Sequence, residues 1–154
     1  MRPGDRTSER GFTIVEMLIV VTILSLVALL ANTSFRNFRE RAILNRAARV
    51  VATDMALTRS LAIRERQNVS LVADESGLTY AIRNANGDTL AVRSLDSGSD
   101  FAVDSLNVLA AGDSITFNSR GLLLTAVARV DVGRASGDRQ VQVNAVGRAR
   151  IIKP

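Results

Sequence analysis

The sequence contains no cysteine, histidine or tryptophan, and it has two prolines and a single lysine. Without cysteine the chain forms no disulfide, and a thiolate metal site, a thiol nucleophile and a lipid attached through cysteine are excluded. Without histidine it lacks the commonest general base and the commonest metal ligand. The lysine, Lys153, lies beside the C-terminus. We therefore expect neither an enzyme nor a chain that binds a cofactor or a metal.

Three acids, Asp96, Asp100 and Asp104, invite a calcium interpretation. Calcium loops take their ligands from alternating positions, whereas these acids recur every four residues. We expect a solvated loop at this place.

Charged residues are segregated along the chain, although the net charge is only +5. Residues 36–66 carry eight arginines and three acids, and residues 120–154 carry seven basic residues and two acids, so each segment has a net charge of +5. Residues 67–119 carry two arginines and seven acids, a net charge of −5. The basic C-terminal segment is therefore a candidate for contact with phosphate or other acidic groups.

The longest apolar run covers residues 12–31. As a helix it would span about 30 Å, the thickness of the hydrocarbon core of a bilayer. The residues before the run hold Arg2, Arg6 and Arg10 against two acids. Net positive charge on that side predicts a single membrane span with a cytoplasmic N-terminus and an extracytoplasmic C-terminal part.

One acid, Glu16, lies inside this apolar run. A charged group at the middle of a bilayer costs roughly 2.5–3.5 kcal/mol, so such a residue indicates a function and a partner. If the chain is cut after Gly11, Phe12 carries a new amino group that can neutralise Glu16 of a neighbouring subunit inside lipid. A secretory signal peptide fits less well, because Leu29 stands where its cleavage site needs a small residue. An unprocessed signal anchor remains an open alternative.

Residues 32–67 continue the run with apolar residues at steps of three and four, which is typical of a helix. We expect one helix from near Phe12 to near Arg66, roughly 80 Å long if unbroken. Residues 12–31 would lie in the membrane, and residues 32–66 would form an amphipathic half that packs on a domain. The buried stripe is predicted to contain Phe35, Phe38, Ile43, Ala47, Val50 or Val51, Met55, Thr58 and Ala62. The exposed side is predicted to contain Arg39, Arg46, Arg49 and Thr53.

From residue 67 to residue 154 the period of the apolar residues changes to two, which predicts a domain of short β-strands. Turn residues separate these strands, as in Asn84-Ala85-Asn86-Gly87-Asp88. We expect an α+β fold in which one antiparallel sheet of six to eight strands lies on the helix. The strands are predicted near residues 69–71, 78–82, 90–92, 101–103, 114–117, 122–132, 139–144 and 148–152.

The segment Gly11-Phe12-Thr13-Ile14-Val15-Glu16 and the apolar run after it resemble the signal of type IV prepilins and type II secretion pseudopilins. Residues 58–63, 114–121 and 143–150 resemble the GspH/FimT family of minor pilins and pseudopilins. The resemblance implies a type IV pilin-like fold, in which a long N-terminal helix packs on an antiparallel domain. One departure is that many pilins carry a proline about twenty residues into the mature helix, where this chain has Asn32-Thr33-Ser34.

The resemblance also implies cleavage after Gly11 by prepilin peptidase, methylation of Phe12, and a role for Glu16 in guiding the subunit into a filament. The expected function is that of a structural subunit of a filament assembled at the inner membrane, either a type II secretion pseudopilus or a type IV pilus. The implied partners are other pilins, the peptidase, the assembly platform and, before assembly, membrane lipid.

An alternative function concerns the tail Gly147-Arg148-Ala149-Arg150. Some members of the resembling family bind DNA for natural transformation through a Gly-Arg-x-Arg tail, which this segment matches. In an extended chain Arg148 and Arg150 would lie on one face, about 6.6 Å apart, and guanidinium groups bind phosphate well. Other arginines expected nearby would widen the patch, namely Arg120, Arg129 and Arg134.

The same arginines also suit a plain strand end whose other face belongs to the core. Phe117 is the only aromatic residue after Phe101, so the tail offers no platform for stacked bases. Any binding of duplex DNA would therefore be driven by phosphates and independent of sequence. A third possibility is an ordinary signal-anchored domain that never polymerises.

Overall fold

The computed structural model describes residues 12–110, 113–125 and 128–153, and of residues 31–34 it describes the backbone only. The chain divides into two compact units, Met1–Asn37 and Phe38–Pro154. Of the predicted features, Gly11 with the leader and residues 126–127 of the strand expected at 122–132 lie outside the described residues.

The helix α1 covers Ile14–Glu65. At its start the Thr13 hydroxyl accepts a hydrogen bond from the Glu16 backbone N–H at 3.2 Å, which is an N-cap. The helix continues without interruption through residues 32–34, and it ends where Arg66 takes a left-handed conformation, with φ of 54°. One continuous helix was the sequence prediction, and it is confirmed.

In the first unit, every described side chain of residues 12–30 is exposed, although most of them are apolar. The hydroxyls of Thr22 and Ser25 donate to the carbonyls of Leu18 and Val21, at 2.7 and 2.8 Å. These bonds satisfy two of the four polar side chains of the run within the helix itself. Among the described residues, α1 is the one helix long and apolar enough to cross a membrane.

The second unit contains eight strands within the described residues, arranged as two four-stranded antiparallel sheets. One sheet has the order β3-β2-β1-β5 and the other the order β4-β6-β7-β8. The strands are β1 Val69–Asp74, β2 Thr79–Asn84, β3 Thr89–Ser94, β4 Ser105–Leu109, β5 Ser114–Phe117, β6 Ala128–Arg134, β7 Gly137–Val143 and β8 Ala149–Ile152.

The prediction of a single sheet was wrong, because β4 pairs with β6 whereas β5 returns to pair with β1. The strand expected at residues 101–103 is also displaced. Those residues form a connection, and the strand lies at Ser105–Leu109, where Leu106 and Val108 alternate inward. Of the strand expected at 122–132, the described residues form β6 from Ala128 onward, and Leu123 forms an isolated bridge with Phe117.

The core lies between α1 and the inner faces of both sheets. Helix residues that share one apolar cluster with the strands are Leu44, Ala47, Ala48, Val51, Met55 and Ala62. The predicted stripe was wrong at its start: Phe35 and Phe38 are 70% and 72% exposed. The contact of the helix with the core begins at Leu44, and Ala47 and Ala48 are both fully buried in it. The predicted exposed side of the helix is confirmed, since Arg39, Arg46, Arg49 and Thr53 are exposed.

A buried polar cluster fastens α1 to the first sheet. The Asp54 carboxylate is on the helix, and the residue is only 5% exposed. It accepts hydrogen bonds from the Tyr80 hydroxyl at 2.8 Å and from two guanidinium nitrogens of Arg93 at 3.0 and 3.2 Å. A buried carboxylate needs such partners, since an unpaired one would lose its hydration without compensation.

Candidate functional site

The predicted processing and assembly residues that the structure describes, Phe12 and Glu16, lie at the start of α1. Phe12 directly precedes the Thr13 cap and is 72% exposed, and Glu16 lies exposed in the first helical turn. Among the described residues, the Glu16 carboxylate forms no ion pair. An acid in the first turn is favoured by the helix dipole, which lowers the cost of keeping it in an apolar segment. Within the part of the chain that the structure describes, the carboxylate is therefore unpaired.

In the second unit, three turns share the pattern Asn-x-x-Gly, at residues 84–87, 118–121 and 144–147. In each turn the asparagine carbonyl accepts a hydrogen bond from the glycine N–H, at 3.1, 2.8 and 2.8 Å. The asparagine side chain accepts a further backbone N–H, from within the turn at 84–87 and at 118–121 and from the residue after the turn at 144–147. Gly87, Gly121 and Gly147 have φ of 89°, 75° and 81°, a region that glycine enters without steric cost.

Two of these turns meet on the helix at Arg59. The Arg59 guanidinium donates from Nε to the Gly121 carbonyl at 3.0 Å. A Cβ on Gly147 would lie 2.9 Å from that same carbonyl oxygen and 2.7 Å from Cδ of Arg59. A Cβ on Gly87, in the third turn, would meet nothing within 4 Å. The turns at 118–121 and 144–147 are therefore packed against each other and against Arg59, whereas the turn at 84–87 is free.

The five arginines of the predicted patch separate into two groups. Arg148 and Arg150 are both exposed and line one open pocket of about 530 Å³ with Gln142, Val143, Asn144 and Ala149. Arg120 is exposed on the neighbouring turn at 118–121. Among the described residues, these three arginines form no ion pair. They are the part of the patch that is available to an anion.

The other two arginines have partners within the chain. Arg129 lies in the same cross-strand row as Gln142 and Arg150, and it forms an ion pair with Asp131 at 2.9 Å. Arg134 donates from one guanidinium nitrogen to the carbonyls of Phe101 and Ala102, at 3.2 and 2.6 Å. Arg134 thus holds the connection between β3 and β4, which is a structural role.

Sequence reasoning missed the helix residue that organises the site, Arg59, and the aliphatic residues around the paired turns. Ile63, Leu122, Leu124 and Val146 are between 42% and 55% exposed. The repeated Asn-x-x-Gly pattern is a signal that could have found the turns. That two of them touch depends on the pairing of the strands, which local patterns do not contain.

Two protein-family models match the sequence of this chain. Residues 47–147 match the model of the family described as type II transport protein GspH, and residues 6–32 match the prokaryotic N-terminal methylation motif. No curated protein matches the chain.

Solved structures share the fold. The chain is similar to the type IV minor pilin FimU of Pseudomonas aeruginosa, with 23% identity, a TM-score of 0.56, and coverage of 76% of this chain and 92% of FimU. It is also similar to the minor pseudopilin EpsH from the type 2 secretion system of Vibrio cholerae, with 12% identity, a TM-score of 0.56, and coverage of 72% and 97%. The type IV pilin-like fold class predicted from the sequence is confirmed. With its family model matched over residues 47–147, the chain belongs to the GspH family of minor pilins and pseudopilins.

Proposed function

We propose that this chain is a structural subunit of a filament assembled from the inner membrane, and that it is processed by prepilin peptidase between Gly11 and Phe12. Before assembly it spans the membrane once through residues 12–31, with the C-terminal unit outside the cytoplasm. The observation that carries this proposal is the exposed carboxylate of Glu16, in the first turn of an exposed apolar helix, within a segment that matches the N-terminal methylation motif.

Cleavage between Gly11 and Phe12 supplies a positively charged partner for the Glu16 carboxylate. The new amino group of Phe12 is cationic at neutral pH, since an α-amino group has a pKa of about 8. When helices pack side by side in lipid, the amine of one subunit and the carboxylate of another neutralise each other in a medium that screens charge poorly. This pairing favours entry of the processed subunit into a filament. The partners in this step are other pilins and the inner-membrane assembly platform.

The proposal is tested by neutralising the carboxylate in two ways. Glu16→Ala removes the group and Glu16→Gln keeps its size without its charge, and we expect both variants to be cleaved normally yet absent from filaments. Ser25→Ala is the matched control. Ser25 is an exposed polar residue of the same helix, and its hydroxyl donates a hydrogen bond to the Val21 carbonyl of that helix. Incorporation is measured by immunoblotting of sheared filaments. Normal incorporation of Glu16→Gln would contradict the charge pairing.

A second candidate function, binding of duplex DNA through the tail, is favoured by one observation. Arg148 and Arg150 are exposed on the same pocket, and their guanidinium groups are free of acidic partners in the described part of the chain. Contact of Arg148, Arg150 and Arg120 with about three phosphates would give a log–log salt slope near −2.7. Unchanged affinity of the double variant Arg148→Gln, Arg150→Gln for two duplexes of unrelated sequence would exclude the tail as a DNA site.

A further inference from the structure

The paired turns at residues 118–121 and 144–147 form a stiff platform. Both glycines are buried, and both have the positive φ that disfavours any other residue. The Arg59 side chain holds the two turns from the helix side, through the hydrogen bond to the Gly121 carbonyl and through contact with Gly147. A surface on such a platform has little freedom to lose when a partner binds, which favours binding.

Four large aliphatic side chains surround this platform and are exposed: Ile63 at 46%, Leu122 at 42%, Leu124 at 55% and Val146 at 55%. We call these four residues, with Arg120 and Arg148 beside them, the turn-pair surface. Solvation of apolar side chains is unfavourable, and a cluster of them on a fixed surface is typical of an interaction site.

Backbone contacts bring the members of the turn-pair surface together. The Leu123 N–H donates to the Ala145 carbonyl at 3.1 Å, so residues 122–124 run alongside the turn that carries Val146. The Leu123 side chain is buried, and its neighbours on both sides therefore point outward. A Cβ on Gly121 would lie 2.6 Å from Cδ1 of Ile63, which places that helix residue against the same turn.

The charged residues nearest to these aliphatic residues in the chain are arginines, and the carboxylate of Glu65, two residues after Ile63, accepts a hydrogen bond from Gln67 at 2.8 Å. Arg120 precedes Gly121 and Arg148 follows Gly147, both exposed, and Arg64 follows Ile63 on the helix and is also exposed. Residues 120–154 contain only two acids, Asp131 and Asp138, and Asp131 is already paired with Arg129. A surface that combines aliphatic contact with uncompensated arginines is complementary to aliphatic side chains flanked by carboxylates.

We propose that the turn-pair surface docks a different pilin-type subunit, whose contact surface carries aliphatic side chains flanked by carboxylates. This inference rests on the proposed function, because it needs a filament in which the chain meets other subunits. The two structural relatives are a minor pilin and a minor pseudopilin. A subunit that is present in few copies in a filament has subunits of other types as its usual neighbours. A second copy of the chain is therefore a competing outcome of the test.

The test uses the full chain in its membrane, together with pilin-type subunits from the same organism, each with a different epitope tag. A photo-reactive benzoylphenylalanine replaces Leu124 in one experiment and Val92 in the control. Val92 is the matched position, since it is 67% exposed and aliphatic but lies on β3, the edge strand opposite β5, whereas Leu124 borders β5. We expect light-dependent coupling of the Leu124 probe to one tagged subunit and none for the Val92 probe. Coupling only to a second copy, or equal coupling at both positions, would overturn the proposal.

Side-chain variants separate a protein partner from a polyanion. With the probe at Val146, Leu122→Ser with Leu124→Ser should weaken coupling by about tenfold or more, since burying an aliphatic side chain contributes on the order of one decade in affinity. Arg120→Glu with Arg148→Glu should abolish it, and Val92→Ser should leave it unchanged. If the arginine variant abolishes coupling while the leucine variant has no effect, the surface binds by charge alone and the proposal is wrong.

A failure of the docking proposal can be distinguished from a failure of the proposed function. Loss of coupling at Leu124 in a chain that is still cleaved after Gly11 and still needs Glu16 for incorporation would refute the docking surface alone. A chain that is neither cleaved nor incorporated would refute the proposed function, and the docking surface with it.

Discussion

Replacement of Gly147 by alanine tests whether the two turns at residues 118–121 and 144–147 are packed against Arg59. Two effects contribute. Alanine in the left-handed region costs about 1–2 kcal/mol relative to glycine. The added Cβ would also lie 2.9 Å from the Gly121 carbonyl oxygen, a backbone atom, and 2.7 Å from Cδ of Arg59. Overpacking of this kind costs about 1–3 kcal/mol more. We therefore expect Gly147→Ala to lower the free energy of unfolding by about 2–5 kcal/mol.

The chain offers matched controls in the other two Asn-x-x-Gly turns. Gly87→Ala has the same backbone requirement, with φ of 89°, but its Cβ would meet nothing within 4 Å, so it measures the backbone effect alone. Gly121→Ala would place a Cβ 2.6 Å from Cδ1 of Ile63, the end of a flexible side chain that rotates away at small cost. We expect the loss of stability to rise in the order Gly87→Ala, Gly121→Ala, Gly147→Ala.

Urea denaturation of the Phe38–Pro154 unit measures these differences. The unit contains the chain's only tyrosine, Tyr80, which is buried, so its fluorescence reports unfolding without interference from tryptophan. Arg59→Ala in the Gly147→Ala background should recover part of the loss, because it removes one of the two close contacts. If Gly147→Ala is no more destabilising than Gly87→Ala, the turns are not held together as described.

The remaining predictions concern the polar cluster beneath the first sheet. Tyr80→Phe removes a 2.8 Å hydrogen bond to the buried Asp54 carboxylate, and we expect the free energy of unfolding to fall by about 1.5–3 kcal/mol. Because this variant has no tyrosine, its urea denaturation and that of the wild type are followed by far-UV circular dichroism. Asp54→Ala should be more destabilising, since it leaves both the Tyr80 hydroxyl and the half-exposed Arg93 without their acceptor; a smaller effect than that of Tyr80→Phe would contradict the arrangement. Burial, and next the negative charge of Asp54, raise the pKa of Tyr80 above the ordinary value of 10.0. The contribution of Tyr80 to stability is then fully present below pH 10 and is lost as the pH rises above it, because the unfolded chain ionises first. In the folded chain the absorbance of tyrosinate should be absent near pH 10.0, and half-ionisation at that pH would refute this.

The alternation and the turns were readable from the sequence, because each depends on neighbouring residues. The period of two located most strands, and the change of period near residue 67 marked the end of the helix. Phe35 and Phe38 were misplaced, because their helical spacing continues the stripe although the core begins only at Leu44. Periodicity shows which face of a helix is apolar, but not how much of that face another element covers.

The division into two sheets and the assembly of the site depend on contacts between distant residues. Leu71 lies opposite both Ile82 and Ile115, so β1 joins strands that are far apart in the chain. The hydrogen bond from Arg59 to Gly121 likewise spans 62 positions. No local pattern contains this pairing, and for that reason the sequence located Arg148 and Arg150 but not the helix residue that supports their turn.

The measurement that tests the account most directly is the mass and N-terminal sequence of the chain purified from its own membrane. The account predicts a polypeptide that begins at Phe12 and carries one added methyl group on its amine. A polypeptide that begins at Met1 in every preparation, or one that begins after Ala31, would contradict it.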